Sequence, residues 1–144
     1  MSSIIRLIVA GVLGFVAGSV VNMGIIIVGP ALIPPPPGVD MSTMESLAET
    51  IHLMGPVNFI APFLAHALGT LSGVFVACLL ANDRRNAIAG VLGILFLAGG
   101  IAASTMIPAP LWFIVMDLLL AYLPMAWLGL LFANRAKPLP PTKV

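Results

Sequence analysis

Asp117 is the one charged residue in the apolar stretch Leu111–Phe132. An ionised carboxylate at membrane depth costs at least ~2.5–3.5 kcal/mol on insertion scales, so it is expected to be paired, protonated or turned toward a cavity. His66, in the equally apolar Val57–Ala81, and Asn22, in Ile4–Val28, are the polar side chains able to meet it. A carboxylate beside an imidazole can relay protons or hold a polar head group. Thr70 shares the His66 helix face one turn further on. Glu49 and His52, spaced i and i+3, offer a second and weaker combination, half of a metal site or an acid–base pair.

The elements carrying these residues belong to a membrane protein. The chain has 144 residues, of which 60% are apolar and 8% charged. Its mean hydropathy is +1.16, and soluble domains carry roughly three times this charge density, at about 25%. Four segments, Ile4–Val28, Val57–Ala81, Ala87–Met106 and Leu111–Phe132, reach the roughly 20 apolar residues a bilayer core requires. The first resembles a secretion signal through Arg6, but its apolar run is too long and no small-x-small site closes it. It is read as a span. The expected fold is an all-α four-helix membrane bundle forming one domain over residues 1–144.

Charge distribution orients the bundle. All 6 Lys and Arg residues fall on one side of a four-span topology, while Asp40, Glu45 and Glu49 fall on the other. The positive-inside rule then makes both termini and the Asn82–Asn86 turn cytoplasmic, with Gly29–Pro56 and Ile107–Pro110 outside. Within the outer segment, Pro34–Pro37 predicts a polyproline II stem and Gly38-Val39-Asp40 a turn. Ser42 with Glu45 reads as a capping box for a helix starting near Thr43. That helix gathers Met44, Leu47, Ile51 and Met54 on one face, as expected of an amphipathic helix at the membrane surface.

Small residues every fourth position, Ala10-Gly14-Gly18-Asn22 and Ala65-Gly69-Gly73-Ala77, predict a close crossing of the first two spans. Ala89–Gly93 and Gly99-Gly100 extend the pattern to the third, and Pro62 and Pro124 are expected to kink the second and fourth. Trp112 and Trp127 read as interface anchors at opposite boundaries. At 1.5 Å per residue, Asn22 lies roughly 9 Å, His66 roughly 13 Å and Asp117 roughly 9 Å below the outer boundary. Three spans thus bring a polar residue to one layer, with Ser104 and Thr105 close by.

Two readings of that layer stay open. It is a hydrogen-bonded cluster fixing helix register, or it is the floor of an outward-opening pocket for a lipid head group, a quinone or another amphiphile. The candidate ligand-binding set is Asn22, His66, Thr70, Asp117, Tyr122, His52 and Glu49. An enzyme is less supported: there is no zinc spacing, Gly-rich phosphate loop or haem attachment sequence, and no cofactor is expected. A one-Asp, one-His hydrolase and a small oligomeric proton-coupled transporter are the alternatives. Cys78 is the only cysteine, which excludes an internal disulfide and reads as a buried thiol.

Several motifs carry a family resemblance. Ile33-Pro-Pro-Pro-Pro-Gly-Val-Asp40, Met44-Glu-Ser-Leu47, Pro62-Phe-Leu-Ala-His-Ala-Leu-Gly-Thr70, Gly99-Gly-Ile101, Pro108-Ala-Pro-Leu-Trp-Phe113 and Asp117 with Ala121-Tyr-Leu-Pro-Met125 together span nearly the whole chain. In combination they resemble an uncharacterised family of small bacterial four-span integral membrane proteins. The resemblance implies a multi-pass protein of the bacterial cytoplasmic (inner) membrane and implies no reaction or ligand. Membrane lipids and further copies of the chain are the expected partners, and nucleic acid is not.

Overall fold

The computed structural model describes residues 3–81 and 84–138. They form an all-α bundle: α1 (Ser3–Leu32), α2 (Met44–Thr50), α3 (Ile60–Ala81), α4 (Arg85–Met106), α5 (Leu111–Leu120) and α6 (Leu123–Ala136). Short 3₁₀ turns at Ile51–Leu53 and Pro56–Phe59 join α2 to α3. Four helical stretches are long and apolar enough to cross a membrane: Ser3–Leu32, Pro56–Ala81, Arg85–Met106 and Leu111–Ala136. The outward surface is apolar, with side chains such as Ile27, Ile94 and Leu119 exposed as acyl chains would receive them.

α3 is the central stave and touches α1, α4 and α6. Its joint with α1 is built on the small-residue stripes. A Cβ on Gly14 would lie 2.6 Å from Gly73 O, one on Gly18 2.6 Å from Gly69 O, and one on Gly73 2.8 Å from Gly14 O. Backbones therefore meet backbones, the contact that dispersion alone rewards where lipid supplies no hydrophobic drive. Phe96 of α4 fills the flank of this crossing and stacks on Phe15 of α1 at 5.4 Å. Gly129 brings α6 equally close to α3, where its Cβ would lie 2.6 Å from Leu71 O. Cys78 is fully buried in this core.

Several expectations are corrected. α1 continues through Pro30 to Leu32, about one turn beyond the expected end at Val28. Pro62 sits in the first turn of α3, where a helix N–H lacks an intrahelical partner in any case, so it removes no hydrogen bond from the helix. The fourth span breaks instead of kinking: α5 stops at Leu120, the chain turns at Ala121–Tyr122, and α6 restarts with Pro124 in its first turn. Gly100 makes the close approach expected of the Gly99-Gly100 pair, while Gly99 has open space beside it. The capping box sits one residue later than expected: Ser46 N donates to Thr43 Oγ1 (3.0 Å) and Thr43 N to Ser46 Oγ (3.1 Å). The Ser42 N–H is already committed to Asp40 Oδ1 at 2.8 Å, which moves the cap along the chain. Of the Asn82–Asn86 turn, Asn82 and Asp83 lie outside the described residues, as do the terminal residues 1–2 and 139–144.

Each end of the bundle is tied differently. Arg85, 2% exposed, donates from Nη1 to Lys137 O (2.6 Å) and Asn134 Oδ1 (3.0 Å), covering the last carbonyls of α6 with a cation. At the other end, α2 and the turn after it fold back onto the bundle. Ile51 packs with Phe59 and Phe113, and Leu47 and Met54 join them. Asn58 closes the loop, accepting Gly55 N (3.1 Å) and donating to Pro34 O (3.2 Å). Gly38, at φ 93°, makes the turn that ends the proline run, a backbone shape that favours glycine.

Candidate functional site

Beneath α2 the bundle holds a partly open cavity of about 240 Å³. Its wall is built mainly from Met, Ile, Leu, Pro and Phe side chains of α1, the loop, α2 and α5, with Ala61 and Pro62 of α3 and Gly100 and Ala103 of α4 completing it. Met41 and Met44 lie toward the loop, Ile26 comes from α1 and Ile33 from just past its end, and Ile114 and Leu118 come from α5. Among the described residues, His66 and Asp117 are the titratable groups in that wall, joined by the neutral polar groups Asn58 and Ser104.

The pair is made by α3 and α5. His66 lies two turns into α3, and Asp117 two turns into α5 from the same end. Nδ1 of His66 is 3.0 Å from Asp117 Oδ1 and 2.9 Å from Oδ2. Tyr122 adds a third group, donating its hydroxyl to Oδ2 at 3.1 Å, and its ring stacks on His66 with centroids 5.7 Å apart. Asp117 is 4% exposed and Tyr122 3% exposed, so the carboxylate sits inside the protein with two donors on it. This is the pairing an intramembrane carboxylate requires. Among the described residues, Nε2 of His66 has no hydrogen-bond partner.

Tyr122 reaches Asp117 only because the span is broken. In a continuous helix, i and i+5 point to different sides. The turn at Ala121–Tyr122 redirects the ring, and Gly100 of α4 makes room for it. A Cβ there would collide with the Tyr122 ring and hydroxyl. Pro124, expected to kink this span, is the sequence signal for the break: it has no N–H to offer the carbonyl of Leu120, where α5 ends.

The remaining sequence-derived candidates are distributed as follows. Thr70 is 1% exposed, one turn below His66, and its hydroxyl has no partner among the described residues. Asn22 packs against Gly69, whose Cβ would lie 3.0 Å from the Asn22 Cβ, and it is not among the carboxylate's partners. Glu49 and His52 are exposed and stand outside the cavity wall. Ser104 lines the cavity and returns its hydroxyl to Ile101 O at 2.7 Å, while the exposed Thr105 does the same to Ala102 O. Asn58 and Met41 are site residues that composition and spacing did not single out, and Gly100, Met44 and Met54 were legible only as packing residues. Their roles depend on how α2 folds back and where the last span breaks, and neither leaves a local sequence period.

No protein-family model, curated protein or solved structure matches this chain.

Proposed function

We propose that this chain is a multi-pass membrane protein that binds a lipid-like ligand, or the lipid-like part of a membrane partner, in the cavity beneath α2. The observation that carries the reading is a largely apolar space of about 240 Å³ whose wall includes a buried, hydrogen-bonded His66–Asp117 pair. Ligand sites combine apolar walls with a few placed polar groups in this way. The lipid-exposed surface and the one-sided distribution of Lys and Arg support placement in a bacterial cytoplasmic membrane, with both termini inside and the cavity opening outward. Membrane lipids are then the available ligand pool.

The test is to purify the protein with native lipid and identify what stays bound by native mass spectrometry, beside Ala103→Phe, which fills the cavity wall. A defined amphiphile on the wild type that is missing from the variant supports the reading. Identical lipid profiles overturn it.

A hydrolase is the second reading, favoured by the same His66–Asp117 orientation with a hydroxyl, Ser104, in the same cavity. It is the weaker one, because the Ser104 hydroxyl is committed to its own helix. A proton-coupled oligomeric carrier would place Asp117 on a path shared between copies, whereas here the carboxylate is enclosed within one chain.

A further inference from the structure

Counting protons on the His66–Asp117 pair determines what it offers the cavity. Tyr122 donates to Oδ2, so the other shared proton lies between Nδ1 and the carboxylate. When the pair holds that proton alone its charge is −1, and Nε2 is a bare lone pair. When the pair holds two, it is neutral overall and Nε2 carries a hydrogen, whichever residue formally owns the inner proton. Nε2 therefore accepts in one state and donates in the other. The groups around it are few. From α5 comes Asp117, from the chain break Tyr122, and from α4 the neutral Ser104. The α1 wall brings no titratable group, and Glu45, Glu49 and His52 near the loop are exposed and outside the wall. Among the described residues no Lys or Arg lines the cavity to balance an anion.

We propose that Nε2 of His66 is the head-group contact of this cavity, taking a hydroxyl-headed amphiphile as it stands and an anion-headed one only together with a proton. This rests on the amphiphile-binding reading above. A hydroxyl donates to the bare Nε2 and changes no charge. An anionic head beside the −1 pair would place two like charges in a low-dielectric space with no cation to offset them. One proton from the aqueous phase removes the pair's charge and gives Nε2 the hydrogen that the anion accepts. Asp117 acts here as a positioning residue, because it holds Nδ1 and so decides what Nε2 presents.

The experiment uses the full chain in lipid nanodiscs, with decane, decanol and decanesulfonate as probes. The sulfonate cannot itself take up a proton in the working pH range. Calorimetry in two buffers of different ionisation enthalpy, corrected with empty nanodiscs, reads the protons bound per ligand. The expected result is no uptake with decanol, about one proton with decanesulfonate, and sulfonate affinity falling about tenfold per pH unit as pH rises. His66→Phe should abolish both head-group preferences and leave decane binding in place. Should that variant fail to fold, Asp117→Asn decides. Its amide can donate to Nδ1 and leave the hydrogen on Nε2, so the sulfonate should bind without proton uptake. Sulfonate binding to the wild type without proton uptake overturns the head-group proposal and leaves the cavity reading intact. Failure of all three probes to bind above empty nanodiscs overturns both.

Discussion

Asp117 shows how a single carboxylate is kept inside an apolar helical stretch long enough to cross a membrane. Its neighbours supply two donors at 2.9 and 3.1 Å, so the group is solvated by protein. Interhelical hydrogen bonds average only ~0.6 kcal/mol where measured in a membrane protein, so Asp117→Asn should keep the fold. Asp117→Leu, by contrast, strands the His66 and Tyr122 donors. It should cost about 1–3 kcal/mol for each left unpaired, read as a fall in thermal stability in detergent. Thr70 gives the opposite expectation. Its buried hydroxyl has no partner among the described residues, so the near-isosteric Thr70→Val should raise the melting temperature, recovering up to about 1–3 kcal/mol. Outside the spans, Asp40 titrates below its ordinary value of 3.8, because the Ser42 side chain and amide both hold the ionised form. A depressed folded value means the contact is intact above the ordinary value and is lost as pH falls through the lower one. The Ser42 amide shift in an NMR titration should therefore turn over below pH 3.8.

At the level of elements, the glycines of α1 divide into two groups that a substitution series can separate. Gly18→Ala sets a methyl 2.6 Å from the Gly69 carbonyl oxygen, and backbone must shift to admit it. Gly24, on the same helix, has nothing within 4 Å of a new Cβ. Gly18→Ala and Gly69→Leu should loosen the bundle, by about 1–3 kcal/mol or more for such overpacking, while Gly24→Ala stays near wild type. Equal stability of Gly18→Ala and Gly24→Ala would show that the joint is not made by these glycines. The α1–α3 crossing was legible in the sequence because a period-four stripe of small residues is itself the packing surface. The polar layer was half legible. Depth follows from counting 1.5 Å per residue, which brought His66 and Asp117 to one level. Rotation does not follow from counting, and Asn22 turned toward Gly69 instead. Tyr122 was illegible as a partner because its position depends on a helix break, and α2 began one residue late because the Asp40 turn took the Ser42 amide first.

For the whole molecule, the one-sided Lys and Arg distribution predicts that intact cells will label a cysteine placed at Ser46 and spare one at Asn86. The reverse pattern would invert the proposed orientation, and with it the side on which the cavity opens. The α1 joint also bears on the order of assembly. In lipid, spans are established first and associate afterwards through packing, and α1 meets the rest almost entirely along one glycine-lined face of α3. Yet α1 also supplies Ile26, Gly29 and Pro30 to the cavity wall, with Ile33 just past its end. The cavity is therefore absent until α1 docks and complete once it has. Two fragments divided within Pro34–Pro37 and produced together should find each other in the membrane. Any amphiphile that fits the finished cavity would then act as glue for that reunion, so the yield of reassembled protein would rise with its concentration.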